Sequence, residues 1–497
     1  MKAATVLRRT AAALLVFALV WCAVVLVWRA RAISPSAGDI GLYLVALPLG
    51  LVGSYWLLRW GLDTRRAKQA ATAEGAALAG TDGSEPAQVD HQLHVLASAL
   101  LLRAGANADE VAQALVEPQR PSLHPTLKND AGMPVFVASV EGLEPDPVAD
   151  ALRAVLADGA DFEQLFAEEP QRALALLDPV AEELLLVALP PVDEAFDPYA
   201  APKPRPAGRG VLRVRVLLPS AWPAPARQAT ADWLQAKATA IGYLADDIRV
   251  EALPVAQPGE VWRLLDHLAQ AQARASLDDG VPADGAHDRH LLLAAHSLVG
   301  EHSIEQLGER RQLLGSGHPE GLVPGEGAAG VLLSGPVLAI DPDAPAPLRL
   351  HRVAHGASHA DPHSRAAVRH ASELLQRALA LSAQAGDGIA TVASDADHRP
   401  SRAVEIAGAV SAVLPELDPV QHCRHLGLAC GELGAVAPVA LLALAAAQCA
   451  HDAAPVLAMA LADAHARAAF VVSPLPVAVE PLPFSPDQQA VAPAVPA

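Results

Sequence analysis

PGEGAAGVLL, residues 324–333, sets three glycines and two alanines between a proline and an apolar run. Residues this small let a turn press closely against a sheet before the chain runs on as a buried strand. Apolar and amphipathic segments follow one another on both sides of it. HLLLAAHSLV (290–299) reads as a buried strand before it, and PLRLHRVAHGAS (347–358) as a strand after it. RAAVRHASELLQRALALSA (365–383) is an amphipathic helix, GIATVASDADHRPSRAVE (388–405) a strand leading into a Pro-started helix, and CGELGAVAPVALLALAAAQ (430–448) a glycine turn before a long apolar helix.

HRVAHGASHADPH (351–363) places histidines at His351, His355, His359 and His363, with His370 following. On one helix this spacing would stack imidazoles on a single face, as metal-binding helices do. Gly356, Asp361 and Pro362 break such a helix. As a strand, the segment puts His351, Val353 and His355 on one face and leaves His359 and His363 in a turn. Asp361 is the one nearby carboxylate and no cysteine is close, so no metal is assigned here.

The composition narrows the classes of function. The chain has 497 residues, 52% of them hydrophobic, and a formal charge of −19. Nucleic-acid binding needs a concentrated basic patch, which so acidic a chain does not supply. Cys22, Cys423, Cys430 and Cys449 are too few for a disulfide framework.

Ala11 to Trp28 and Gly41 to Leu58 are two uncharged apolar runs, each just long enough to cross a bilayer. They predict a membrane-anchoring hairpin over 1–68. Lys2, Arg8 and Arg9 precede it, and Arg59, Arg65, Arg66 and Lys68 follow it, against Arg29 and Arg31 in the short loop. The positive-inside bias places both ends and the soluble body in the cytoplasm of a two-pass bacterial inner-membrane protein. A cleaved signal peptide is the other reading of the first run, and it would put the body in the periplasm.

A Gly/Ala-rich linker spans 69–89. HVLASALLLRA, ADEVAQALVE, MPVFVASVEGL, PVADALRAVLADG, PQRALALLDPVAEE and LLLVALPPV then alternate as strand, helix, strand, two helices and strand, which reads as a small α/β module at 90–195. FDPYAAPKPRPAGRG closes it as a Pro-rich linker at 196–210. A second α/β unit covers 211–475. It opens with the strand VLRVRVLLP, the helix ARQATADWLQAKATAIGY, the strand DIRVEALPVA and the helix PGEVWRLLDHLAQAQARA. Residues 476–497 are a Pro-rich tail, composed as disordered ends are.

In this order the segments from HLLLAAHSLV to CGELGAVAPVALLALAAAQ resemble the β-ketoacyl synthases of the thiolase superfamily, with PGEGAAGVLL the most specific match. The resemblance covers about 211–475, and is clearest over 288–450. It implies a layered α/β thiolase-like fold whose units pair through a central strand, hence a homodimer or pseudo-dimer, and an acyl carrier or acyl ligand as partner. The family uses a cysteine nucleophile at a helix start and two histidines. At the matching turn, PVAQPGEVW offers Ala256 and Gln257, and Asp395 and Glu432 stand where the histidines are expected. The family's upstream lysine is also absent, and its Gly-rich loop before the last strand is replaced by LADAHARAAFVV (461–472).

Two readings of Asp395 and Glu432 follow. They are polar replacements in a site no longer used for chemistry, or they form an acid/base pair with a raised pKa. The first makes the chain a non-catalytic, membrane-anchored scaffold or adaptor of an envelope assembly such as a secretion system. The second makes it an enzyme or acyl binder using the remodelled cavity. No cofactor motif accompanies either. HCRHLGLACGE (422–432) groups His422, Cys423, His425 and Cys430 with no standard zinc spacing, and the cysteines read as buried apolar residues. In HSLVGEHSIEQL (296–307), Ser303 is expected to cap a helix.

Overall fold

A computed structural model describes residues 92–156, 161–189, 210–276, 287–336 and 346–475, and Arg29. The chain divides into Met1–Val89 and Asp90–Ala497. Apart from Arg29, the predicted hairpin and its linker lie outside the described residues, as does the C-terminal tail.

Thirteen strands are described. They are β1 (Leu93–Leu102), β2 (Ser122–Lys128), β3 (Pro134–Val137), β4 (Leu212–Pro219), β5 (Ile248–Val255), β6 (Arg289–Ser297), β7 (Glu326–Ser334), β8 (Leu348–Leu350), β9 (Ala354–Ala357), β10 (Thr391–Ser394), β11 (Cys423–His425), β12 (Val456–Ala460) and β13 (Ala466–Pro474). Eleven form one sheet in the order β11-β10-β12-β13-β8-β1-β7-β6-β4-β5, with β9 on β13. Leaving aside the β2–β3 hairpin and β9, β1, β4, β5, β6 and β7 are the first to fifth strands of one half, and β8, β10, β11, β12 and β13 those of the other. From its outer edge inward, each half then reads third, second, fourth, fifth, first. In both halves the second strand runs parallel to the third and fourth, and the fifth runs antiparallel to the fourth and the first. The halves join where the two first strands pair antiparallel, Leu93 opposite Leu350 and Val95 opposite Leu348.

This duplication places β1 at the centre of the sheet. The stretch expected to be a separate module at 90–195 therefore supplies the first strand of the same layer, and the repeated fold begins at Leu93, not at 211. LLLVALPPV, expected as a strand, instead begins within the helix Glu168–Ala188. Leu184, Leu185 and Ala188 are buried while Leu186 and Val187 are exposed, the one-sided burial of a helix on a sheet. A continuous apolar run does not distinguish these two outcomes.

β7 is buried along its whole length, between β1 and β6. The small residues of PGEGAAGVLL account for that. A Cβ on Gly330 would lie 2.4 Å from Leu184 Cδ1 and 2.7 Å from Leu293 Cδ2, so glycine is what lets the helix Glu168–Ala188 settle on the strand. Glu326 is fully buried and accepts from Arg172 Nε at 2.8 Å, Ser297 Oγ at 2.8 Å and the Val140 amide at 2.8 Å. Its charge is thereby paired and its oxygens satisfied, as burial requires.

The helices that follow the third strands, Gly259–Ser276 and Ala437–Asp452, share one core cluster with β1, β7 and β13. Glu168–Ala188 and Ala224–Ile241 line a second cluster on the first half, and Arg365–Ser382 and Pro400–Val413 a third on the second half. Gly434–Asp452 is the one helix among the described residues long and apolar enough to cross a membrane, and most of it is buried inside the protein, as a central core helix is. The helix Glu301–Glu309 has Gly300 at its N-cap, and no side chain of its own caps it. The Ser303 amide instead donates to Glu169 Oε1 at 3.0 Å, so a carboxylate from Glu168–Ala188 takes the capping role expected of Ser303.

PLRLHRVAHGAS is split into β8 and β9, with His351–Val353 outside both strands. His351 is buried and bonds Ser473 Oγ at 2.9 Å, His355 is half-buried, and His363 lies 3.4 Å from Glu320. The five histidines share no common face.

Candidate functional site

Three chain turns meet beyond the strand ends. β10 closes on Ser394 and passes to Asp395, which is 5% exposed. β11 runs through the short helix Leu426–Cys430 to Gly431 and Glu432. β12 runs into the loop Leu461–His465 before β13.

Asp395 faces the loop. Its Oδ1 accepts the Leu461 amide and, at 3.1 Å, the Ala462 amide. Burial pushes its carboxyl up to about 6, against the pull of these two amides and of Arg467 and Arg402. Glu432 is pinned by PGEG: its amide donates to Val323 O at 2.8 Å, and the Gly325 amide donates to its carbonyl at 3.1 Å. Gly431 makes that contact possible. Its φ is +65°, and a Cβ there would lie 2.5 Å from Val323 O. The Glu432 side chain accepts the Gly434 amide at 3.1 Å and lies 3.8 Å from Arg399 Nη2. Burial pushes its carboxyl up to about 7; Arg399 works against this, while Asp397 and Asp395 add to it.

Arg399 joins the two turns. Its Nε donates to both Asp397 oxygens, at 2.9 and 2.7 Å, and the same guanidinium faces Glu432. The structure thus brings buried Asp395 and Asp397 and half-buried Arg399 and Glu432 into one charged cluster, with Arg399 bridging Asp397 and Glu432. Behind it lies a second, fully internal set. Glu405 accepts from Arg467 Nε at 2.8 Å and Arg402 Nη1 at 3.0 Å. Both arginines also donate to Asp463 O, at 2.8 and 3.2 Å. Asp463 Oδ2 in turn accepts the Gly259 amide at 3.3 Å, so the loop also holds the turn that carries Ala256 and Gln257.

Asp397, Arg399, Arg402, Glu405, Asp463 and Arg467 were not singled out from the sequence. DADHRP places Asp395, Asp397 and Arg399 two residues apart, a signal that was available. Arg402 and Glu405 have the i, i+3 spacing of an ordinary solvated helix pair, and nothing local marks them as buried.

In HCRHLGLACGE, His425 Nδ1 bonds Ser394 Oγ at 2.7 Å, and burial pulls its imidazole down to about 4. Cys423 and Cys430 are buried, and burial pushes their thiols up to about 12 and about 11. Such thiols are inert at neutral pH. No group of three or more metal-ligating side chains gathers among the described residues.

No family model matches the chain. No curated protein matches it either. Solved structures do. "The ishigamide ketosynthase/chain length factor" aligns with TM-score 0.52 at 15% identity, over 78% of this chain and 100% of its own. A β-ketoacyl synthase from Burkholderia phymatum STM815 aligns with TM-score 0.51 at 12% identity, again over 78% of this chain and 100% of its own. At these identities the likeness concerns the fold, which is the mixed α/β, thiolase-like fold of the ketosynthases.

Proposed function

We propose that the chain is a non-catalytic ketosynthase-fold scaffold, anchored to the bilayer by the apolar runs Ala11 to Trp28 and Gly41 to Leu58, and that it serves a bacterial envelope assembly such as a secretion system. One observation carries the non-catalytic part: the carboxylates at the two former histidine positions are engaged by the protein itself. Asp395 latches the loop through the Leu461 and Ala462 amides, and Glu432 sits between the Gly434 amide and Arg399. The turn after β5 offers Ala256 and Gln257, neither of which forms an acyl-thioester. The anchor rests on hydropathy and flanking charge alone. β5 pairs only with β4 among the described strands, and its free edge suits a second copy or a partner of the same fold.

The second reading has one observation in its favour. Carboxyls held near neutral pH, as burial holds Asp395 and Glu432, are what acid/base chemistry on a bound acyl group would use. Incubating the full chain with short- and medium-chain acyl-coenzyme A thioesters separates covalent acyl chemistry from the scaffold role. Intact-mass measurement is expected to return the unmodified chain. An added acyl mass, mapped to any residue lining the three turns, would overturn the scaffold reading.

A further inference from the structure

The loop that Asp395 holds carries a second feature, which the site does not use. His465 stands just before β13 and His359 just after β9, and their ring centres are 5.5 Å apart with the planes inclined at 46°. Both residues are exposed, and neither ring is hydrogen-bonded to any described residue. The backbone of His465 is held, and so is the backbone next to His359. β9 and β13 pair antiparallel up to Ala357 opposite Ala466. Beyond that rung the Ser358 amide donates to His465 O at 2.8 Å, and the His465 amide donates to Asp463 Oδ1 at 2.8 Å. The two imidazoles are therefore neighbours just beyond the end of the β9–β13 ladder, on segments that leave ordered strands.

We infer that His359 and His465 form a binding site for a divalent transition metal ion, Zn²⁺ or Cu²⁺, completed by water. An imidazole nitrogen binds zinc at about 2.0–2.1 Å, which puts each ring centre about 3 Å from the ion and two rings on one ion about 5 to 6 Å apart. The observed separation lies inside that span. Imidazole suits these ions, and a pair set beside an ordered ladder has less ordering left to lose on binding. With two protein ligands the site is weak and exchangeable, unlike a closed structural zinc site. Its place gives it a consequence. His465 belongs to the loop whose Leu461 and Ala462 amides hold Asp395 and whose Asp463 holds the Gly259 turn, so an ion on His359 and His465 ties that loop to the end of β9. HRVAHGASHADPH thus supplies one metal ligand after all, and the second comes from a segment about a hundred residues further on.

The test uses the full chain, purified in detergent without a histidine tag. Cu²⁺ added at one equivalent is expected to give an electron paramagnetic resonance spectrum with two equatorial imidazole nitrogens. That pattern should be lost in both His359→Gln and His465→Gln. Zn²⁺ titrated calorimetrically should bind at least ten-fold more weakly to either variant, and unchanged to His451→Gln, an exposed histidine elsewhere. Circular dichroism of the variants should match the parent, since both side chains face solvent. If either variant retains the two-nitrogen spectrum and the parent's Zn²⁺ affinity, the strongest site lies on other histidines and the inference fails.

Discussion

Replacing Glu405 by Ala is expected to destabilise the fold by about 3–5 kcal/mol, the range for removing one partner from a buried ion pair or triad. Arg402 and Arg467 are 4% and 3% exposed, so neither guanidinium can turn to bulk water once Glu405 is gone. Burial and the neighbouring Arg467 pull the Arg402 pKa down, and Glu405 is the group that works against them. The damage should spread, because the same two arginines hold Asp463 O and so the loop that latches Asp395. The triple replacement Arg402→Met, Glu405→Leu and Arg467→Met should recover most of the loss, since apolar packing of similar volume often equals or exceeds a buried triad. Urea unfolding of the three proteins, parent, single variant and triple variant, checks this. A loss below about 1 kcal/mol for Glu405→Ala would mean that water reaches the triad, contrary to the burial described.

Glu432→Gln should change how stability depends on pH. The Glu432 carboxyl titrates near 4.5 in the unfolded chain and is held up to about 7 in the fold. Between these values the folded state binds more protons than the unfolded state, so Glu432 lowers stability as pH rises through 4.5 to 7. Asp395, held up to about 6, acts with the same sign at lower pH. His290, His296 and His425 act with the opposite sign: burial pulls each down to about 4 from 6.5, so their stabilisation is complete above 6.5 and lost as pH falls towards 4. The histidines act equally in the parent and the variant, so the difference between the two proteins isolates Glu432. The difference between the two proteins should therefore grow in favour of Glu432→Gln as pH rises from 4.5 towards 8, reaching on the order of 1–3 kcal/mol at pH 8. Gln keeps an acceptor for the Gly434 amide, and Arg399 keeps Asp397, so the variant removes charge with few other losses. Parallel curves for the two proteins would show that Glu432 is ionised in the fold at neutral pH.

These residues also show what the sequence made legible. The order of segments from 290 to 448 was readable because the motifs that carry it are local: glycines and alanines before an apolar strand, a proline at a helix start, a glycine turn before an alanine-rich helix. Asp395 and Glu432 could be placed for the same reason, each directly following a local landmark. The first strand of the repeat was readable as a strand, but not as the centre of the sheet. Its neighbours β7 and β8 lie more than two hundred residues away in sequence, and periodicity does not encode pairing at that distance. Arg402, Glu405 and Arg467 were hidden by the same limit, because a charged helix pair looks solvated until a distant strand covers it. The histidine ladder was set aside on equally local grounds, the helix breakers Gly356, Asp361 and Pro362. Its regular spacing has no structural meaning, and the one ring that meets another does so just beyond the end of the β9–β13 ladder.

In the proposed scaffold, Asp395 and Glu432 are latches and do no chemistry. The most direct test deletes the gene from its host and restores it with Asp395→Asn/Glu432→Gln at parental protein level. Asn and Gln keep the oxygens that accept the Leu461, Ala462 and Gly434 amides while removing both ionisable groups. The account predicts full complementation of the deletion phenotype, with parental unfolding at neutral pH or better. A variant that folds as the parent does, reaches the same level and fails to complement would contradict it, and would assign the chemistry to these two carboxyls.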